Sequence, residues 1–341
     1  MTLWRCRLSL AMRVRVWLDG GDSSLRFLGK ISSLARCENL STSWRVSYNG
    51  KRCILLIRLS GIVTVELQSK RPWRLTSSQA QAAFARLVLD RGRGTSRGQL
   101  AETIWPETLP KTWASALRSV VSRVRSFVDD LAPNTGDVAL TSQGGCYLLT
   151  LPPCATVDLE HAEDSLVQAC AELSGGGHEV AYRIARDTAA SLRGSFLSEH
   201  GGEWVASVRE RVDGLRLAAL EIASLTSSSL RNAPRALEHA NEAIRHSPFR
   251  ESAHQCRIMA HAAAGNRAEA LGAYHELRQL LAEELGIDPA PEIQAMYLDL
   301  LHASECQPWE SRMLGAYGSL VQESRAVFLN GRAADRLSGL T

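Results

Sequence analysis

The pattern of hydrophobic and polar positions divides the chain into a short mixed segment of strands and helices, followed by a longer helical segment. The mixed segment begins with two β-branched runs, 53–57 and 62–67, which flank Ser60-Gly61 and predict two strands joined by a turn. Residues 73–75 predict a short third strand. The sequence before residue 53 shows no sustained strand or helix period, so no fold is predicted there.

Three helices and a hairpin are predicted after the strands. Serine and threonine residues offer N-caps for the first two helices, and Gly92, Gly94 and Pro106 stand where these helices end. The last two strands enclose Gly144-Gly145, which suits a tight hairpin turn. The order of elements predicts a winged helix-turn-helix, with helices at about 76–90, 95–105 and 110–131 and hairpin strands at about 138–141 and 147–151.

The third helix has an apolar face and a basic face. At 100° per residue, Trp113, Val120 and Phe127 fall within an apolar arc of about 120° that must pack on the other helices. The opposite face is rich in Arg, Lys and Ser between Lys111 and Ser126, and it lacks Asp and Glu. An ordinary solvated face is the alternative, but such faces usually intersperse acids for ion pairing. The acid-free face therefore favours contact with DNA.

The basic face and the predicted wing supply the candidate DNA contacts. Arginine can bond two guanine acceptors at once, and serine adapts to bases or phosphates. We assign four residues of the face to base or near-base contact, namely Arg118, Ser119, Ser122 and Arg123. We assign Lys111 and Arg125 to phosphate contact. The wing-tip residues Ser142 and Gln143 are assigned to the minor groove or the backbone.

Seven amphipathic stretches predict that the segment after residue 157 is helical throughout. Their approximate bounds are 158–173, 178–192, 203–229, 234–246, 251–264, 267–285 and 291–303. Small residues recurring with a 34-residue period are typical of tetratricopeptide-like helical hairpins. Asn232, Ala236 and Leu237 recur 34 residues later as Asn266, Ala270 and Leu271. At a longer offset of 55, Ala181 and Ala185 correspond to Ala236 and Ala240.

The net charge of +3 conceals opposite charges in the two halves of the chain. Residues 1–153 contain 22 Lys/Arg and 10 Asp/Glu, whereas residues 154–341 contain 17 and 26. This asymmetry favours nucleic-acid contact by the basic half and separable roles for the two halves, with a solvated basic surface as the alternative. Residues 1–52 are predicted to be a disordered basic arm, or the product of a reading frame extended too far upstream.

Other classes of protein find little support in the sequence. No apolar run approaches the 18 or so residues of a membrane span, and Arg13 and Arg15 interrupt the N-terminal apolar stretch before a signal peptide forms. The eight cysteines include no C-x-x-C pair, and no catalytic signature such as H-E-x-x-H occurs. We therefore predict a cytoplasmic protein, nucleoid-associated when bound to DNA, that is not an enzyme and has no cofactor, metal site or membrane contact.

Two sets of short motifs carry a family resemblance. The first set, within about 55–152, is Gln99-Leu100, Ile104-Trp105, Ala116-Leu117, 121–125 and 141–147. The second set, within about 157–303, is Val157-Asp158-Leu159, Leu192-Arg193-Gly194, 248–251, Ala264-Gly265, Ala270-Leu271, Ala273-Tyr274 and 281–289. Together they resemble the Streptomyces antibiotic regulatory protein (SARP) family, whose members join an OmpR/PhoB-type winged helix to a bacterial transcriptional activator domain.

The resemblance implies both a fold and a function. The fold is mainly α, with a winged helix-turn-helix DNA-binding domain followed by an all-α tetratricopeptide-like repeat domain. The function is activation of transcription from promoter direct repeats, with a homodimer on double-stranded DNA, contact with RNA polymerase and antibiotic biosynthesis genes as targets. The sequence departs from the family at the wing, where Cys146 stands before Tyr147 and Gln143 lies near the tip. These residues weaken the expectation of strong phosphate contact by the wing.

The sequence thus predicts a DNA-binding transcriptional activator with four regions. Two rivals stay open, namely a helical-repeat scaffold that binds a protein or a ligand, and a repressor with the same architecture. The predicted regions are a basic arm at 1–52, the winged helix at 53–152, the activator domain at 157–303 and an unassigned tail at 304–341.

Overall fold

The computed structural model describes residues 47–48, 51–52, 55–67, 72–135 and 138–302, so the predicted tail at 304–341 lies outside the described residues. The strands are β1 (Ser47–Tyr48), β2 (Lys51–Arg52), β3 (Leu55–Arg58), β4 (Thr64–Leu67), β5 (Trp73–Arg74), β6 (Thr95–Ser96), β7 (Ala139–Gln143), β8 (Cys146–Thr150) and β9 (Ala155–Val157). The helices are α1 (Ser78–Leu89), α2 (Arg97–Ile104), α3 (Trp113–Thr135), α4 (Asp158–Ser174), α5 (His178–Ser191), α6 (Glu203–Ser229), α7 (Ala233–His246), α8 (Glu251–Ala263), α9 (Arg267–Glu284) and α10 (Pro291–His302). This order confirms the predicted fold class.

Capping side chains explain where several helices begin. The Oγ of Ser77 accepts a hydrogen bond from the backbone N–H of Ala80 at the start of α1. Ser96 and Gln99 form a reciprocal capping box at the start of α2, with distances of 3.2 and 2.9 Å. Such caps satisfy N–H groups that the first helical turn leaves without a partner. The structure therefore confirms the predicted starts of α1 and α2.

A four-stranded sheet, in the order β5-β4-β3-β9, opens the winged-helix domain. Strands β3 and β4 are antiparallel, as the two β-branched runs predict. Strand β9 runs parallel to β3, with Leu55 opposite Ala155 and Ile57 opposite Val157. No strand is predicted from the pattern of residues 153–157, yet they return to this sheet about 100 residues after β3. The last strand of the winged helix therefore leads directly into α4.

Two sequence-based expectations are wrong in detail. Residues 1–52 are predicted to form no structure, but Ser47–Tyr48 and Lys51–Arg52 pair as short antiparallel strands, because backbone pairing needs no hydrophobic period. The preceding residues 1–46 lie outside the described part of the chain. The third helix is predicted to begin near residue 110, but α3 begins at Trp113 because the carbonyl of Thr112 accepts the first helical bonds.

Aromatic and aliphatic side chains hold the three helices of the winged-helix domain together. Phe84 of α1 is 1% exposed, and its ring meets the ring of Phe127 of α3 edge-on, with 5.4 Å between centroids. Val120 and Val124 of α3 are also buried, whereas Trp113 is half-buried and packs at the edge of the core. The apolar arc predicted for α3 therefore forms its packing face, and the opposite face is left exposed.

The helices from α4 to α9 pack in succession, each against the next along the chain. Asn232 and Asn266 stand at the N-cap positions of α7 and α9. The repeated small residues are all completely buried, which lets neighbouring helix backbones approach closely, as in tetratricopeptide-like hairpins. These residues are Ala181, Ala185, Ala236, Ala240 and Ala270.

Candidate nucleic-acid interface

All of the predicted DNA-contact residues lie on the surface of the winged-helix domain. Five of them are on one side of α3, opposite its buried face. Lys111 is also exposed, but it lies in the turn before α3, so its predicted place on the helix face is wrong. The exposed residues of α3 among the candidates are Arg118, Ser119, Ser122, Arg123 and Arg125.

The arginine side chains of this face are available for a partner. Arg118, Arg123 and Arg125 form no ion pair with any described residue. Other arginines of the same domain pair with acids of the chain, with Arg86 bound to Asp90 and Arg91 bound to Glu160 of α4. An exposed guanidinium without an internal partner keeps all five N–H donors for an acceptor outside the chain. The α3 face can therefore meet phosphate oxygens or the acceptor edge of guanine.

The serines on the same helix are partly engaged by the backbone. The Ser119 hydroxyl donates to the carbonyl of Ser115 at 3.3 Å, and the Ser115 hydroxyl donates to the carbonyl of Thr112 at 2.9 Å. A hydroxyl that donates in this way still presents its lone pairs as acceptors. Ser119 can thus accept from a base amino group while its proton remains on the helix.

The wing is a hairpin tied to the start of the helix-turn-helix. Strands β7 and β8 are antiparallel, and Gly144 and Gly145 adopt φ angles of 60° and 83° in the turn between them. Two positive φ angles in succession fit the two-residue hairpin turn that favours glycine. The short strand β6 pairs with β8, which connects the wing to the residues that cap α2. Ser142 and Gln143 are exposed at the tip, as predicted.

Sequence reasoning missed two kinds of residue. Arg97 is exposed at the first position of α2, the helix that crosses the DNA backbone in helix-turn-helix proteins, and the position itself was the available signal. Asp158 and Gly194 belong to the motifs of the activator domain, yet both contact the turn between β3 and β4 of the winged helix. Because those partners lie 98 and 134 residues away, no local pattern could reveal these contacts.

Metal and membrane sites have no structural support within the described ranges. No group of three or more His, Cys, Asp or Glu side chains there could hold a metal ion. The Nε2 of His254 lies 2.8 Å from the backbone carbonyl of Pro248, within hydrogen-bond distance. None of the helices from α1 to α10 combines the length and the apolar composition needed to span a membrane.

Comparisons with known proteins agree with both halves of the structure. Residues 157–301 match the model of the bacterial transcriptional activator domain. The regulatory protein AfsR of Streptomyces griseus is 28% identical over 241 residues, and the transcriptional regulator RedD of Streptomyces coelicolor is 24% identical over 291 residues. Together these matches indicate a transcriptional regulator of the SARP family. The RedD match covers 84% of this chain and 81% of RedD.

A solved structure supports the fold of this chain. EmbR of Mycobacterium tuberculosis, solved in complex with a low-affinity phosphopeptide, superposes with a TM-score of 0.69 over 81% of this chain and 70% of EmbR. At 21% identity, this likeness concerns the fold alone. The chain spans only about a quarter of the length of AfsR, at 24%. Activities of the longer relatives therefore do not transfer with the match.

Proposed function

We propose that this SARP protein regulates transcription by binding double-stranded DNA in a sequence-specific manner. The observation that carries the proposal is the exposed face of α3, where Arg118, Arg123 and Arg125 have no ion-pair partner among the described residues. In a helix-turn-helix, the second helix enters the major groove and its side chains meet the base edges. The helix-turn-helix of this chain consists of α2 and α3, so α3 is the helix in that position.

Within this proposal, the side chains divide by the part of DNA they reach. Arg118, Ser119, Ser122 and Arg123 read bases or lie next to them, and the contacts with base edges select the sequence. Phosphate contacts give affinity and its salt dependence. The residues that meet phosphates or the minor groove are Lys111, Arg125, Arg97, Ser142 and Gln143.

The further expectations concern assembly and output. Two protomers bind direct repeats whose centres lie about 10–10.5 bp apart, so that both lie on one face of the duplex. The activator domain joins the protomers and contacts RNA polymerase. Through this contact the protein activates antibiotic biosynthesis genes, and it acts in the cytoplasm. The relatives AfsR and RedD, both from Streptomyces, support the transcriptional part of this proposal by their names. A reporter assay with the gene deleted distinguishes activation from repression.

Substitution of Arg118 tests the role of α3. We expect Arg118→Ala to weaken binding to the specific site by about 1–3 kcal/mol, because the lost side chain reads a base. Binding to random DNA should change much less. Fluorescence anisotropy with a specific and a shuffled duplex, at several salt concentrations, measures both affinities after the chromosomal site has been mapped.

The matched control is Arg186→Ala, which removes an exposed arginine from α5 of the activator domain. We expect this variant to bind both duplexes as the wild type does. Equal losses by Arg118→Ala on both duplexes would assign Arg118 to phosphate contact instead. Unchanged binding to both would remove α3 from the interface and contradict the proposed function.

A further inference from the structure

A network of contacts joins the activator domain to the winged helix, and we call it the seam. Its first part is Asp158, the 4%-exposed first residue of α4. The backbone N–H groups of Leu59 and Ser60 donate to Oδ2 of Asp158 at 2.9 and 2.8 Å, and that of Leu159 donates to Oδ1 at 2.9 Å. Burial raises the pKa of Asp158, while these N–H groups favour its charged form. One carboxylate thus ties the β3–β4 turn to α4.

The second part of the seam is a contact between two backbones. The Ser60 hydroxyl donates to the carbonyl of Gly194 at 2.8 Å. A Cβ added to Gly194 would lie 2.3 Å from the Cα of Gly61 and 2.7 Å from its nitrogen. No side chain fits at Gly194, whereas Gly61 has room for one but adopts a φ of 83°, which favours glycine. The loop between α5 and α6, residues 192–202, therefore packs directly on the turn of the winged helix.

The third part of the seam reaches the helix-turn-helix itself. A Cβ added to Gly202 would lie 2.7 Å from the Cβ of Pro106, which stands between α2 and α3. The guanidinium carbon of Arg86, on α1, lies 4.6 Å from the ring centroid of Trp204, on α6. Arg86 is buried and also binds Asp90, so this cation–π contact joins two fixed groups. The same loop thus contacts the sheet turn and the residues that lead into α3.

Arg209 holds this loop in shape. Its guanidinium donates to the carbonyls of Phe196, Leu197 and His200, all within the loop. Leu197 has a φ of 43°, a conformation that residues with a side chain rarely adopt. Three hydrogen bonds from one planar group can keep such a backbone in place. The loop is therefore a fixed support for the winged helix.

We propose that the activator domain positions the recognition helix α3 for DNA through this seam, with Gly194 and Asp158 as positioning residues. The seam contacts the winged helix at the β3–β4 turn, at α1 and at the entry to α3, so a joint shift of the loop and the start of α6 moves all three. One continuous hydrophobic core also extends from the sheet of the winged helix into α8. Sequence-specific contacts tolerate little displacement, whereas phosphate contacts of flexible arginines tolerate more. This inference rests on the proposed DNA-binding function.

Gly194→Ala in the full chain tests the proposal, because the added methyl must separate the two backbones. We expect affinity for the specific duplex to fall about 2- to 30-fold, the range of mutations that act through a packed network. Affinity for the shuffled duplex and its dependence on salt should stay unchanged. Gly214→Ala is the matched control, since its Cβ meets nothing within 4 Å in α6. Circular dichroism and thermal unfolding show whether each variant is folded.

Asp158→Asn is the second variant, for use if Gly194→Ala fails to fold. Its amide oxygen can still accept from Leu59 and Ser60, while its amide nitrogen opposes the N–H of Leu159, so the seam loosens without being lost. We expect the same selective loss of specific binding, but smaller. A folded variant of either kind that binds the specific duplex as the wild type does would overturn the proposal. An equal loss on both duplexes, with a shallower salt dependence, would do so as well.

Hydrogen exchange separates failure of this inference from failure of the proposed function. In Gly194→Ala, without DNA, we expect faster exchange of the amides of Trp105, Trp113 and Ala116, which close the hydrogen bonds on either side of Pro106. Unchanged exchange at these amides in a folded variant would overturn the seam as a support for α3. A wild-type chain that binds no DNA, together with faster exchange in the variant, would reject the proposed function and leave the positioning role supported.

Discussion

Replacing Phe84 with alanine should destabilise the folded chain by about 3–5 kcal/mol, the usual cost of removing a buried aromatic ring. The ring of Phe84 is 1% exposed and lies edge-on to Phe127, so its loss removes a buried aromatic contact between α1 and α3. DNA binding should be lost with it, because α3 then has no fixed position. Urea unfolding followed by tryptophan fluorescence measures the loss in stability.

Phe84→Leu is the control for this prediction, because it keeps most of the buried volume at the same position. We expect it to cost clearly less than the alanine variant and to retain DNA binding. A loss below about 1 kcal/mol for Phe84→Ala would mean that the site collapses without harm. That result would contradict the packing described for α1 and α3.

Replacing Glu221 with alanine should destabilise the activator domain by about 3 kcal/mol. Glu221 of α6 is buried, and its carboxylate accepts from the guanidinium of Arg250 at 2.6 and 3.0 Å and from the hydroxyl of Ser252 at 2.6 Å. Breaking a buried ion pair by removing one partner costs about 3–5 kcal/mol. We expect the lower end because the Arg250 side chain is 34% exposed and water can solvate part of it.

Glu221→Gln is the matched variant, since it keeps the shape and one oxygen acceptor but removes the charge. Its expected loss lies between those of the wild type and Glu221→Ala. Thermal unfolding followed by circular dichroism at 222 nm (the usual helix wavelength) measures both variants. A Glu221→Ala protein as stable as the wild type would show that the link between α6 and the start of α8 contributes little.

Periodicity alone predicted most helices and the exposed side of α3. Local signals mark several helix starts: Ser96, Asn232 and Asn266 each stand at the N-cap of a helix in the structure. Asn266 follows Asn232 by 34 residues, the period of the repeat. The face of α3 followed from residue spacing, since one apolar arc determines which side remains in solvent. Lys111 lies outside this face because the helical spacing holds only from Trp113 onward.

The contacts between the two domains could not be predicted, because they join residues far apart in the sequence. Strand β9 has only three residues, and it pairs in parallel with β3, where Leu55 and Ile57 lie opposite Ala155 and Val157. Asp158 and Gly194 were identified as family motifs, but their partners lie on a turn about 100 residues earlier. The opposite charges of the two halves favour separable roles, which suggests that the basic half could be studied as a fragment. A fragment that ends at residue 156 would, however, cut through β9 and lack the seam residues Asp158 and Gly194.

The central claim is the proposal that this protein selects a DNA sequence, and one ratio of affinities tests it most directly. The full chain is titrated at physiological salt against its mapped chromosomal site and against a shuffled duplex of equal length and composition. We expect the specific site to bind at least about 10³-fold more tightly, the lower bound for sequence-specific DNA-binding proteins. Equal dissociation constants for the two duplexes would contradict the claim.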